Sequence, residues 1–229
     1  MKLSVVIPAY NEARTIRAVI DRVGKVTLPH VSKEIIVVDD GSSDGTADAV
    51  PRGTAEVIRL PSNQGKGSAI RAGFAKATGD IVLVQDADLE YSPEDIPSLI
   101  APIIEGSADV VYGSRFMGDK PHRVLLFHHY MANRCITFFS DLFTNLNLTD
   151  VETGYKAFSR AAIHQILPRL VSRKFGIEIE LTAQVAKARL RIYEVGVSYH
   201  GRTYAEGKKI RWTDGLAALW HIIRFNIFS

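Results

Sequence analysis

The stretch VLVQDADLEY, residues 82–91, runs from an apolar strand straight into three carboxylates, Asp86, Asp88 and Glu90, spaced two apart. Like charges this close repel, and desolvating them is costly unless a positive group lies between them. Either the strand has reached water by Asp86, or the cluster holds a cation. If the extended conformation persists to Glu90, alternation puts all three carboxylates on one side. Three oxygen donors of this kind suit a hard divalent cation such as Mg²⁺ or Mn²⁺. An exposed acidic turn ahead of the next helix is the plain alternative.

The same pattern recurs upstream. KLSVVIP (2–8), EIIVVDD (34–40) and the weaker EVIRL (56–60) read as strands, and DIVLVQDAD (80–88) as a fourth. Between them, Asn11 is placed to cap a helix from Glu12 to about Val23, with Ile16, Val19, Ile20 and Val23 on one face. GKGSAIRAGFAKATGD (65–80) reads as a Gly-led turn into a helix with Gly79 as its C-cap. SPEDIPSLIAPII (92–104) starts a helix with Ser92 as cap, Pro93 at the first position and Asp95 completing a capping box. Strands alternating with helices predict a mostly parallel sheet flanked by helices, with ligands at the carboxyl ends of the strands. PAYNE (8–12), DDGSSDGT (39–46) and DADLE (86–90) then gather along one edge of that sheet.

The later chain is less regular. ADVVYGSR (108–115), GYKAFS (154–159) and RIYEVGVSY (191–199) read as strands. Residues 123–146, FGIEIELTAQVAKA (175–188) and the segment after HGRTYAEGKKIRW (200–212) read as helices. One α/β domain over 1–229 accounts for the length, with a regular half over 1–115 extended by less regular elements over 116–229. Asp-rich segments lie before residue 96 and much of the Arg and Lys after 114, within a mild net charge of +3 that gives no reason to expect a nucleic-acid partner. The single cysteine, Cys135, excludes an internal disulfide and fits a reducing compartment. Met1-Lys2 leads too quickly into LSVVIPAY for a signal peptide, and no run of about 18 apolar residues predicts a membrane span.

NQGKGSA (63–69) offers backbone amides and Lys66 at a helix start, a reasonable anion site. It lacks the full P-loop pattern, and no G-x-G-x-x-G fingerprint of a dinucleotide enzyme is present. A nucleotidyltransferase would carry a Gly-rich basic loop after the first strand, where PAYNE stands. A catalytically dead nucleotide-binding subunit would be expected to have lost one of Asp86, Asp88 or Arg115, and all are present.

VVIPAYNE (5–12), IIVVDDGSSDGT (35–46), NQGKGSAIRAGF (63–74), GDIVLVQDADLE (79–90) and VVYGSRF (110–116) occur in the order and spacing of the family 2 glycosyltransferases, which they resemble. DVETGYKAFSR (150–160) and RTYAEGKKIRWTDGLAALW (202–220) resemble more narrowly the dolichyl- or polyprenyl-phosphate sugar synthases. The resemblance implies a GT-A fold and an inverting transfer of a sugar from GDP-mannose or a UDP-sugar to a polyprenyl phosphate. A soluble saccharide acceptor is the alternative. It further implies that Pro8, Tyr10 and Glu12 line the nucleotide pocket, with Val38 and Asp40 or Asp39 at its base. Lys66 joins them as a nucleotide contact, Asp86 and Ala87 lie near ribose and diphosphate, and Asp88 and Glu90 hold Mg²⁺ or Mn²⁺. Arg115 faces the diphosphate or the acceptor phosphate. Some relatives place a further Arg where His129 stands, with Arg134 or Arg123 as substitutes, and Arg202, Lys208 and Lys209 belong to a loop closing over the phosphates.

A polyprenyl phosphate resides in a membrane, so peripheral docking on the cytoplasmic membrane face is expected. LLFHHYMANRCITFFSDLF (125–143) and LAALWHIIRFNIF (216–228), with Leu216, Leu219, Trp220, Ile223 and Ile227 on one helical face, are the segments suited to it. Packing of both on the protein core is the competing expectation.

Overall fold

A computed structural model describes residues 1–118, 123–124, 127–202 and 212–228. The β-branched runs of the first half form β1 (Lys2–Ala9), β2 (Ser32–Asp39), β3 (Glu56–Arg59) and β4 (Ile81–Val84), all mutually parallel. The second half adds β5 (Val110–Ser114), β6 (Lys156–Ser159) and β7 (Ile192–Gly196). Together they make one seven-stranded sheet in the order β3-β2-β1-β4-β6-β5-β7. Only β6 runs against its neighbours, pairing antiparallel with both β4 and β5. The mostly parallel α/β architecture read from the sequence is therefore present, as a single domain.

Helices cover both faces, which is why the strands read as continuous apolar runs rather than alternating ones. On one face Leu3, Val5 and Ile7 pack with α1 (Ile16–Lys25) and α3 (Ile96–Ile104). On the other, Val6, Ile36 and Val38 pack with α2 (Lys66–Lys76), while α5 (Arg160–Ile166) and α6 (Ile177–Lys187) close the same layer beside β5 and β6. A third, smaller core joins α4 (Phe127–Thr144), α6 and α7 (Trp212–Ile227) through Ile136, Ile179, Ala218 and Ile222.

Several local expectations are corrected. The first helix begins at Ile16, because Asn11 adopts a left-handed backbone (φ 53°) and its side chain accepts from the Ser43 amide at 2.9 Å. Asn11 thus ties the first loop to the second and caps nothing. Helix α2 ends at Lys76, and the Gly79 amide donates to Ser4 Oγ at 2.8 Å. The Ser92 capping box does not form: residues 93–95 make a 3-10 turn, and the Asp95 carboxylate accepts instead from the Ser198 amide at 2.7 Å. Strand β4 stops at Val84, so side-chain alternation does not carry through to Glu90.

Candidate active site

The carboxyl ends of β1, β2, β4 and β5 open into one cleft of about 390 Å³. They deliver Pro8, Tyr10 and Glu12, then Asp40, then Asp86, Ala87, Asp88, Glu90 and Tyr91, then Arg115. Because β6 is reversed, its beginning lies at this same edge, and the residues preceding it, Glu152 and Gly154, enter the wall.

Of the two candidate aspartates at the end of β2, Asp40 is the one in the cleft. Its carboxylate accepts from the amides of Gln64 (2.8 Å) and Gly65 (2.7 Å), fixing the loop that starts α2. Two amides of the expected anion cradle are thereby already engaged. Asp39 is buried and accepts from the Ser42 amide at 3.2 Å, and Val38 lies in the core in register with Pro8; neither lines the cleft. Gly65 is required where it stands: its φ is +99° and a Cβ would lie 2.5 Å from the Arg173 carbonyl oxygen.

Lys66 does not point an unpaired charge into the cleft. Its ammonium bridges Asp86 (2.8 Å) and Glu178 (3.0 Å). Burial alone would lower its pKa, but the two carboxylates more than offset this and hold it well above the usual lysine value. Glu178 also meets the buried Lys156 at 3.2 Å, extending the chain of ion pairs beneath the floor.

The acidic turn converges through a left-handed residue, Leu89 (φ 63°). This geometry brings Asp88 and Glu90 onto a single cation, Arg202, whose Nη2 lies 2.9 Å from Asp88 and whose Nε lies 3.2 Å from Glu90. Glu12 is 3.6 Å from the same guanidinium, and the Tyr199 hydroxyl donates to Glu90 at 2.6 Å. Burial, then repulsion from Asp86 and Glu90, pushes the Asp88 carboxyl up to about 7 despite Arg202. Among the described residues no group of three or more His, Cys, Asp or Glu side chains is arranged to hold a metal ion. Asp88 and Glu90 nevertheless present hard oxygen donors around one position of positive charge, and they fit a divalent cation whose remaining ligands come from elsewhere.

Arg115 faces the cleft from the end of β5. Its Nε and Nη2 each donate to Asp150 at 2.7 Å, and its guanidinium lies 5.2 Å from the Tyr199 ring centroid. His129 and Arg134 lie on α4, half-buried and exposed respectively, and neither lines the cleft. Asn133 on α4 reaches this corner and donates to Asp150 at 3.1 Å. Arg123 donates to the Gly201 carbonyl at 3.1 Å. Lys208 and Lys209 lie outside the described residues, so of the expected closing loop only Arg202 is placed.

Sequence reasoning missed Tyr91, Glu152, Phe175, Glu178 and Tyr199, all of which line the cleft. Tyr91 is sandwiched by Tyr155 and Tyr199, with ring centroids 5.1 and 5.3 Å away. A usable signal existed for Glu178: FGIEIEL places two acids inside an otherwise apolar helix start, and residues 177–185 are all buried. Acids there need partners, and they have them in Lys66, Lys156 and the amides of Val171 and Ser172.

A Rossmann-like sheet that gathers its acids and cations into one cleft at the strand ends is an α/β enzyme framework. The sequence profile of glycosyl transferase family 2 matches residues 4–167, and the chain belongs to that family. It is similar to the undecaprenyl-phosphate mannosyltransferase of Micrococcus luteus, at 29% identity covering 99% of each chain. It is also similar to the UDP-N-acetylglucosamine–dolichyl-phosphate N-acetylglucosaminyltransferase of Methanococcus voltae, at 29% identity over 97% of this chain and 92% of that one. Among solved structures, the glucosyl-3-phosphoglycerate synthase of Mycobacterium tuberculosis in complex with Mn²⁺, UDP and glucosyl-3-phosphoglycerate superposes with a TM-score of 0.76 at 25% identity, covering 98% of this chain and 80% of that one. The protein is accordingly a GT-A glycosyltransferase of the hexosyltransferase type.

Proposed function

We propose that this enzyme moves a hexose from GDP-mannose or a UDP-sugar to a polyprenyl phosphate, working peripherally on the cytoplasmic membrane face with Mg²⁺ or Mn²⁺. The observation that carries the lipid acceptor is an exposed apolar flank on two helices packed against each other, α4 and α7. Phe138 and Leu142 on α4 are 64% and 66% exposed, and Leu216 and Trp220 on α7 are 60% and 55% exposed. The opposite side of α7, with Ala218, Ile222 and Phe225, is the buried one. Packing on the core therefore uses one face of the helix and leaves the Trp220 face to water. Among the described residues no helix is long and apolar enough to cross a membrane, which favours lying on the surface over spanning it.

On this reading Pro8, Tyr10, Glu12 and Asp40 receive the nucleoside, and Asp86 and Ala87 the ribose and diphosphate. Asp88 and Glu90 would hold the divalent cation, which supplies Lewis-acid stabilisation of the departing diphosphate. An oxygen of the acceptor phosphate attacks the anomeric carbon as the carbon–oxygen bond to the diphosphate breaks, and the bonding pair leaves with the diphosphate. The attacking phosphate is already an anion near neutral pH, so the step needs positioning more than a strong base. Arg115, oriented by Asp150, and Arg202 supply positive charge around the phosphates, and Tyr199 fixes the plane of the first. His129, Arg134, Lys208 and Lys209 belong to the acceptor half as candidate phosphate contacts.

A second reading, transfer to a soluble phosphorylated or saccharide acceptor, draws on the structural likeness to a glucosyl-3-phosphoglycerate synthase. A radiolabelled-sugar assay with detergent-dispersed polyprenyl phosphate decides between them. Label entering the organic phase as an acid-labile product is expected; label confined to water-soluble acceptors would reject the lipid acceptor.

A further inference from the structure

Most charged side chains around the cleft floor meet an opposite charge among the described residues, and Glu152 does not. Asp86 meets Lys66, Asp150 meets Arg115, and Glu178 meets both Lys66 and Lys156. Glu152 lines the same cleft, and its Oε1 is sealed from bulk water without a hydrogen-bond partner among the described residues. Leaving a buried carboxylate oxygen unsatisfied is unfavourable, and in a cleft such an atom calls for a donor from a water, an ion or a bound ligand. Burial, followed by repulsion from Glu178, pushes the Glu152 carboxyl up to about 7.

The position narrows what that donor is. Glu152 stands two residues before Gly154, whose backbone presses on the Asp86–Lys66 pair so closely that a Cβ there would sit 2.9 Å from Lys66 Nζ. The segment leads into β6, which lies between β4, ending near Asp86, and β5, ending near Arg115, on the other side of β4 from the strands that carry Pro8 and Asp40. In its ionised form Glu152 repels phosphate oxygens, and the cleft already offers Arg115 and Arg202 to a diphosphate, so a diphosphate is not the partner that its unpaired acceptor calls for. The part of a sugar nucleotide that offers neutral hydroxyl donors beyond the diphosphate is the hexose.

We propose that Glu152 is a specificity-determining residue whose carboxylate accepts a hydrogen bond from a hydroxyl of the donor hexose. The inference rests on the sugar-nucleotide reading of the cleft and adds to it the side chain that distinguishes one hexose from another. A site built to accept from a particular hydroxyl rejects an analogue lacking that hydroxyl far more strongly than an apolar pocket does.

The test is calorimetric binding to the full chain with Mn²⁺, comparing wild type, Glu152→Gln and Glu152→Ala. The titrants are GDP and UDP alone, the corresponding hexose nucleotides, and a monodeoxy series of the hexose that binds. The diphosphates alone should bind all three proteins equally. The intact sugar nucleotide should bind Glu152→Ala about tenfold more weakly or worse, with Glu152→Gln between. One monodeoxy analogue, disfavoured by wild type, should lose that penalty in Glu152→Ala. A purely structural Glu152 would weaken diphosphate and sugar nucleotide alike, and unchanged discrimination across the deoxy series would overturn the proposal. Wild type that binds no sugar nucleotide would overturn the proposed function together with it. Binding without transfer to lipid phosphate would overturn the acceptor and leave Glu152 its role.

Discussion

The guanidinium of Arg202 lies 2.9 Å from Asp88 and 3.2 Å from Glu90, so one side chain pairs with both of the carboxylates best placed to hold a cation. Arginine and metal are therefore alternatives at one position. Arg202→Ala should bind Mn²⁺ several-fold more tightly than wild type in the absence of nucleotide, while sugar transfer slows. Asp88→Asn should bind the ion more weakly in either background. Titration followed by the Mn²⁺ paramagnetic signal checks this, and equal affinity in wild type and Arg202→Ala would speak against competition.

Arg115 and Asp150 form a buried, two-pronged pair, with Asp150 wholly enclosed. Removing one partner strands the other. Asp150→Ala should cost about 3–5 kcal/mol of stability, as for other broken buried pairs, and depress transfer even in the fraction that folds. Urea unfolding measures the first effect. A loss below about 1 kcal/mol would mean that water reaches Arg115 freely.

Glu34 sets an acid limit. Burial opposes its ionisation, but hydrogen bonds from Lys2, Ser4 and Thr78 pull its carboxyl from the model-compound value of 4.5 down to about 2, with Lys76 a further nearby cation. A folded-state value below the unfolded one stabilises the protein above pH 4.5 and is lost as pH falls towards 2. Thermal melting of wild type should therefore drop across that window, whereas Glu34→Gln should start lower at neutral pH and change less. Because Glu34 is partly exposed, salt should shrink the difference. Parallel curves for the two proteins would refute the assignment.

The α7 flank should carry membrane attachment that survives high salt. Leu216→Ser combined with Trp220→Ser should abolish flotation with anionic vesicles at high ionic strength while leaving nucleotide affinity unchanged. Basic residues add a salt-sensitive part worth about 1 kcal/mol each where well placed. Retained flotation by the double variant would place the contact elsewhere.

The parallel half of the sheet was legible because its strands are covered on both faces and read as β-branched runs closed by polar turns. The direction of β6 was not, since its pairing with β4 and β5 depends on contacts far apart in sequence. Asp88 and Glu90 share the cleft as their spacing suggested, but what brings them together is the left-handed turn at Leu89 rather than strand alternation. Lys66 illustrates a different limit: its position at a helix start suggested an anion site, while the acids that saturate it come from Asp86 and from Glu178, over a hundred residues away. Glu152 stayed hidden because an acid in DVETGYK looks like any loop residue until its neighbours, Asp150 among them, are paired off.

The reversed strand has a consequence for how the chain is made. β5 reaches β4 only through β6, which is synthesised after the whole of α4. A nascent chain that has just emerged past Ser114 therefore holds β4 with a bare hydrogen-bonding edge and β5 with no place to dock. Until Lys156 leaves the ribosome tunnel, that edge is open to other unfinished chains, so this is the interval in which chaperone protection matters most. Translation stalled within α4 should yield aggregates, and release of the completed chain soluble enzyme.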